Sequence, residues 1–137
     1  MSRVLVIDDE RIVPMILSYA LEAIGHEMIA ADGGESGIRT ALDEHPDAIV
    51  LDLMMPEMDG FEFLVEMRGH AEWRDIPVLV VTAKDLTEEE RTRLNGDVAR
   101  VLQKGASELS ELLREIGRIL PGSMARSRRG ISDEALA

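Results

Sequence analysis

Five short apolar runs separated by helical patterns constrain this chain more than any other feature. They are Val4-Leu5-Val6-Ile7, Met28-Ile29-Ala30-Ala31, Ala48-Ile49-Val50-Leu51, Val78-Leu79-Val80-Val81 and residues 98–102. Four are nearly continuous rather than alternating, and Arg100 interrupts the last. A strand that is apolar at successive positions has both faces covered, as in a parallel sheet between helices. Between the runs, Val13, Ile16, Leu17, Ala20, Leu21 and Ile24 recur at helical spacing. Pro14 falls in the first turn, where a missing N–H costs little, and Gly25 is placed to end the helix. Residues 34–44 carry a weaker helical pattern. Asp59 with Glu62 reads as a capping box that opens a helix through Met67. Thr87 with Glu90 repeats it for a short fourth helix, which has few apolar residues beyond Leu86 and Leu94. Ser107 can cap a fifth helix with the apolar face Leu109, Leu112, Leu113, Ile116, Ile119 and Leu120. Strand and helix alternate five times, which predicts an α/β parallel sheet with helices on both faces.

With 137 residues, the chain fits one domain of ordinary size. Only 3% of residues are aromatic, so the core must rest on Val, Ile, Leu, Met and Ala. The absence of cysteine removes disulfides, thiol catalysis and thiolate zinc sites, and suits a cytoplasmic location. No apolar run approaches the roughly 20 residues that span a bilayer, and the N-terminus lacks a signal-peptide pattern. The formal net charge of −12 argues against nucleic-acid binding by the main body. Residues 1–120 form the expected domain, closed by Pro121-Gly122. Residues 121–137 lack periodicity and are expected to be a disordered tail, locally basic through Arg126, Arg128 and Arg129. His26, His45 and His70 show no ligand spacing and are expected on the surface. Trp73 is expected to pack beside the loop before the fourth strand.

The chemistry lies just past the end of each strand. Asp8-Asp9 follow the first, Asp52 the third, Thr82 the fourth and Lys104 the fifth. In a parallel sheet these positions share the carboxyl edge, where ligands of open α/β sheets bind. If the first and third strands are neighbours, about 4.8 Å apart, the three aspartates converge. Like charges at about 4 Å repel by roughly 4 kcal/mol at an effective dielectric near 20. A hard divalent cation such as Mg²⁺ relieves this with oxygen ligands. Lys104 adds a positive charge, and Thr82 a hydroxyl that can donate to an oxyanion. Metal, lysine and hydroxyl around one aspartate make a phosphoryl-transfer site, in which that aspartate can act as nucleophile.

At these residues the chain resembles the receiver domain of bacterial two-component response regulators. The matching pieces are VLVIDDE, AIVLDLMMPEMDG, VLVVTAK and the lysine of VLQKG, in order, and the likeness covers residues 3–120. The resemblance implies a flavodoxin-like, doubly wound five-stranded sheet of order 2-1-3-4-5. It implies that Asp52 is the phosphoacceptor. Asp9, Asp52 and the backbone carbonyl of Met54 would hold Mg²⁺, with Asp8 acting through water, and Thr82 and Lys104 would bind phosphoryl oxygens. A sensor histidine kinase or phosphotransfer protein would donate the phosphoryl group. A downstream protein would read the result, and the chain would act as a monomer or homodimer. It would catalyse only its own phosphorylation and dephosphorylation.

Some positions depart from the family pattern. Where the family usually has an aromatic, three residues before its lysine, this chain has Val101; Gly105 replaces the usual proline, and Asn95-Gly96-Asp97 precedes the fifth strand. The strand-five region is similar to receivers at the ends of hybrid sensor kinases. Output is expected through the fourth helix, fifth strand and last helix, without an aromatic switch. Met54 and Lys84 lie two residues past key groups, at the mouth of the site. Apolar Met54 cannot orient a water, so slow self-dephosphorylation is expected. The rival from another class is an Mg²⁺-dependent phosphatase with an aspartate nucleophile. It would need a general acid two residues on, where Met54 stands. A phosphorylation-independent interaction module is a third reading. Met1 favours a single-domain regulator over a receiver fragment of a hybrid kinase.

Overall fold

The computed structural model describes residues 2–10, 12–83, 85–96, 98–104 and 108–120. Lys84, Asp97, Gly105, Ser107 and the 121–137 tail lie outside these described residues. Five parallel strands, β1 (Ser2–Ile7), β2 (His26–Ala31), β3 (Ala48–Leu51), β4 (Val78–Thr82) and β5 (Arg100–Gln103), form one sheet of order 2-1-3-4-5. The connecting helices are α1 (Ile12–Ala23), α2 (Gly34–Glu44), α3 (Gly60–Arg68) and α4 (Glu88–Asn95), and α5 (Glu108–Ile119) follows β5. Among the described residues no helix is long and apolar enough to cross a membrane.

The continuous apolar runs follow from two cores on one sheet. Side chains alternate across a strand, so neighbours in sequence enter opposite layers. Val4, Val6, Ala48, Val50, Leu79 and Val81 meet Leu17 and Leu21 of α1 and Leu112 and Ile116 of α5. Leu5, Ile7, Ile49, Leu51, Val78 and Val80 meet Ala41 of α2, Phe63, Leu64 and Met67 of α3, and Leu94 of α4. Fully burying one Leu or Ile stabilises by roughly 1.5–3 kcal/mol, so neither face of the central strands tolerates a polar residue cheaply. Trp73, in the 3-10 turn Ala71–Trp73 before β4, is buried against the second of these cores.

Both capping boxes form. Asp59 accepts from the Glu62 N–H at 2.9 Å and Thr87 Oγ1 from the Glu90 N–H at 3.1 Å, while each glutamate accepts from the cap's own N–H at 3.0 Å. Gly25 adopts φ 90°, the left-handed turn that stops α1 and releases the chain into β2.

Two expectations need correction. The fifth strand begins at Arg100 rather than Val98, because the Val98 N–H donates to Leu94 O at 3.0 Å and so finishes α4. His26 is not a surface residue: it opens β2 opposite Ser2 and is fully buried. It shares a strand face with Met28, which packs on the α1 and α5 core. β2 starts directly after Gly25, so His26 enters the sheet instead of the surface. His45 is exposed, and His70 is half-buried against Trp73, with ring centroids 4.4 Å apart.

Candidate functional site

The sheet register brings the acids together. Ile7 pairs with Leu51, so Asp8 and Asp52 leave adjacent strands side by side. Backbone bonds pin both: the Asp52 N–H donates to Ile7 O at 3.0 Å, and the Asp8 N–H to Ala31 O at 3.1 Å. Across β4, the Lys104 N–H donates to Thr82 O at 2.9 Å, which carries the lysine back over the same edge. Thr82 ends β4 and is buried.

Lys104 Nζ lies 3.2 Å from Asp52 Oδ2, 3.3 Å from Asp8 Oδ2 and 3.2 Å from Glu10 Oε1. Asp8 and Asp52 are buried, and the lysine side chain is only 16% exposed. Burial pulls the Lys104 ammonium down, but the charges of Asp52 and Asp8 outweigh it and hold the pKa above its ordinary value. Burial pushes the Asp8 carboxyl up, opposed by its bond from the Glu10 N–H and by Lys104 and reinforced by the Asp52 charge. One ammonium thus faces several carboxylates. Asp8, Asp9 and Asp52 each bring a carboxylate oxygen within 4.8 Å of the others. A donor set of oxygens alone, with one exposed member and a charge deficit, fits a hard divalent cation such as Mg²⁺.

The segment after Asp52 is shaped to hold it. The Met54 N–H donates to Asp52 Oδ1 at 3.0 Å, leaving Oδ2 toward Lys104. Met54, the next residue but one, is 53% exposed. Glu57 takes φ 63°, a left-handed conformation that costs a non-glycine residue about 1 kcal/mol. Gly60 then packs α3 onto the end of β3, where a Cβ would stand 2.7 Å from Leu53 Cα and 2.9 Å from Asp52 O. The Asp59-Gly60 pair therefore serves both the helix cap and the close approach to the acid's own backbone.

The structure brings Asp8, Asp9, Asp52 and Lys104 together and sets Thr82 on the neighbouring strand end. Val101 lies on the adjacent edge strand, partly buried against the core of α2, α3 and α4. Sequence reasoning missed Glu10 as a partner of Lys104; the signal was the third acid in Asp8-Asp9-Glu10. A cleft of about 880 Å³ runs from these acids along β2 between α1 and α2, past Met15, Tyr19, Met28 and Asp32. Tyr19 and Met15 are 73% and 56% exposed.

Residues 4–116 match the response regulator receiver domain family. Protein PilH of Pseudomonas aeruginosa is 32% identical over 122 residues, covering 89% of this chain and all of PilH. The alkaline phosphatase synthesis transcriptional regulatory protein PhoP of Bacillus subtilis is 41% identical over 84 residues, covering 61% of this chain. The matched part is 34% of PhoP, so the chain spans about a third of that relative. The response regulator TrrA of Thermotoga maritima, solved in complex with Mg²⁺-BeF, is 26% identical with a TM-score of 0.74, covering 88% of this chain and all of TrrA's.

Proposed function

The chain belongs to the response regulator receiver domain family, a phosphorylation-dependent signalling switch rather than a conventional enzyme, and we propose that Asp52 is its phosphoryl acceptor. The observation that carries this is the position of Asp52. It is a buried carboxylate, held through Oδ1 by the Met54 N–H and facing Lys104 through Oδ2. The donor is a phosphohistidine of a sensor kinase or phosphotransfer protein, and the cleft beside exposed Met15 and Tyr19 offers such a donor an apolar landing face.

A carboxylate oxygen of Asp52 attacks the phosphorus. The P–N bond breaks, and its electron pair stays on the imidazole nitrogen, which takes a proton from solvent. Lys104 neutralises charge on the transferring group, and the Thr82 hydroxyl donates to a phosphoryl oxygen. When bound, Mg²⁺ supplies further charge neutralisation. Asp9, Asp52 and the Met54 carbonyl would hold it, with Asp8 acting through water. Hydrolysis later returns the carboxylate and inorganic phosphate. Apolar Met54 offers no hydrogen bond to the attacking water, so this step is slow. Lys84, outside the described residues, is a second tuning position.

The switch acts on a downstream protein, in the cytoplasm, through α4, β5 and α5. Val101 supports an output that moves no ring. Residues 1–120 form the working domain. Nothing favours the phosphatase reading, because the position of its general acid holds Met54. The test is phosphotransfer from candidate kinases to the native chain and to Asp52→Asn. Label on the native chain alone supports the reading, and equal labelling of both overturns it.

A further inference from the structure

We infer that Glu10 is a positioning residue that holds one arm of Lys104 and yields it to the incoming phosphoryl group. This rests on Asp52 being the acceptor. An ammonium has three N–H donors. Those of Lys104 face three carboxylates, Asp52 Oδ2 at 3.2 Å, Asp8 Oδ2 at 3.3 Å and Glu10 Oε1 at 3.2 Å. A phosphoryl oxygen can gain a donor from Lys104 only if one of these bonds is given up.

Exposure decides which. The side chains of Asp8 and Asp52 are 5% and 6% exposed, whereas that of Glu10 is 64% exposed. A buried carboxylate stripped of its cation is left without solvent, which is costly. An exposed one returns to water at little cost. Glu10 is therefore the partner released. Its placement follows from the acid cluster itself, since its N–H donates to Asp8 Oδ1 at 2.9 Å and so sets the turn beside Lys104. Donor phosphoryl and Glu10 compete for one N–H, and each weakens the other's hold on the lysine by the same factor.

The experiment measures self-phosphorylation by phosphoramidate with Mg²⁺ across donor concentrations, for the native chain, Glu10→Gln and Glu10→Asp. Glu10→Gln should lower the half-saturating donor concentration about two- to fivefold, the range of an exposed ion pair, with the plateau rate little changed. Glu10→Asp keeps the charge but is one methylene short of Lys104, and should behave as Glu10→Gln does. If Glu10→Asp matches the native chain while Glu10→Gln does not, charge alone acts and the inference is overturned. If all three coincide, it is overturned as well, with Asp52 still the acceptor. If the native chain takes no phosphoryl group, the acceptor reading falls and the inference with it.

Discussion

The two ends of the sheet bury titratable groups in opposite ways. At the carboxyl edge, Asp8 and Asp52 are buried beside a lysine that meets both. At the amino edge, His26 is equally buried, yet neither ring nitrogen has a hydrogen-bond partner among the described residues. Burial lowers the His26 pKa from its ordinary 6.5, and the charge of Asp47 only partly opposes this, so the ring is a neutral core side chain at physiological pH. The contrast separates two uses of one sheet. Charge kept at a cost and paired marks the edge where chemistry happens, while a titratable group kept neutral marks the edge that only packs.

The largest effect should come from removing the shared cation. Lys104→Met leaves Asp8 and Asp52 buried without it, and should cost about 3 kcal/mol in urea unfolding. Added Mg²⁺ should recover more stability in this variant than in the native chain. A native-like midpoint without Mg²⁺ would mean the acid cluster is not strained.

His26 should show the opposite edge's pH dependence. The unfolded chain protonates near the ordinary value of 6.5 and the folded chain resists. Unfolding therefore takes up a proton in the window below 6.5, and stability falls as pH drops through it. The loss approaches about 1.4 kcal/mol per pH unit at most. Midpoints at pH 7.5 and 5.5 should differ less in His26→Leu than in the native chain; an unchanged difference breaks the contrast.

Asp8 has the reverse sign and the smallest effect. Its folded pKa lies above the ordinary 3.8, so the folded state binds the proton first, and that contribution is lost as pH rises through the folded value. Asp8→Asn should be more stable than the native chain at pH 8, by about 1 kcal/mol. The gap should narrow toward pH 4, and a gap that widens on acidification would refute the burial argument.

Most of this was legible in the residues because both signals are local. Continuous runs such as Val4-Leu5-Val6-Ile7 and Ala48-Ile49-Val50-Leu51 state that both faces are covered, and the acids stand directly at the strand ends. The two capping boxes rest on residues three apart. What escaped was set by packing. Val98 sits in an apolar run, but its N–H completes α4. His26 is polar by type, yet its place in β2, on the strand face it shares with Met28, leaves it fully buried. Glu10 is visible as the third acid of a local run, but its partner Lys104 lies 94 positions away, and only the fold joins them.

The phosphoryl group is expected on Asp52. The direct measurement is to load the native chain with phosphoramidate and Mg²⁺, trap the acyl phosphate by borohydride reduction, and map the modified residue by peptide mass spectrometry. Reduction is expected at position 52 alone, and to be absent from unloaded protein. Modification at Asp8 or Asp9 instead, or none at any acid, would contradict it.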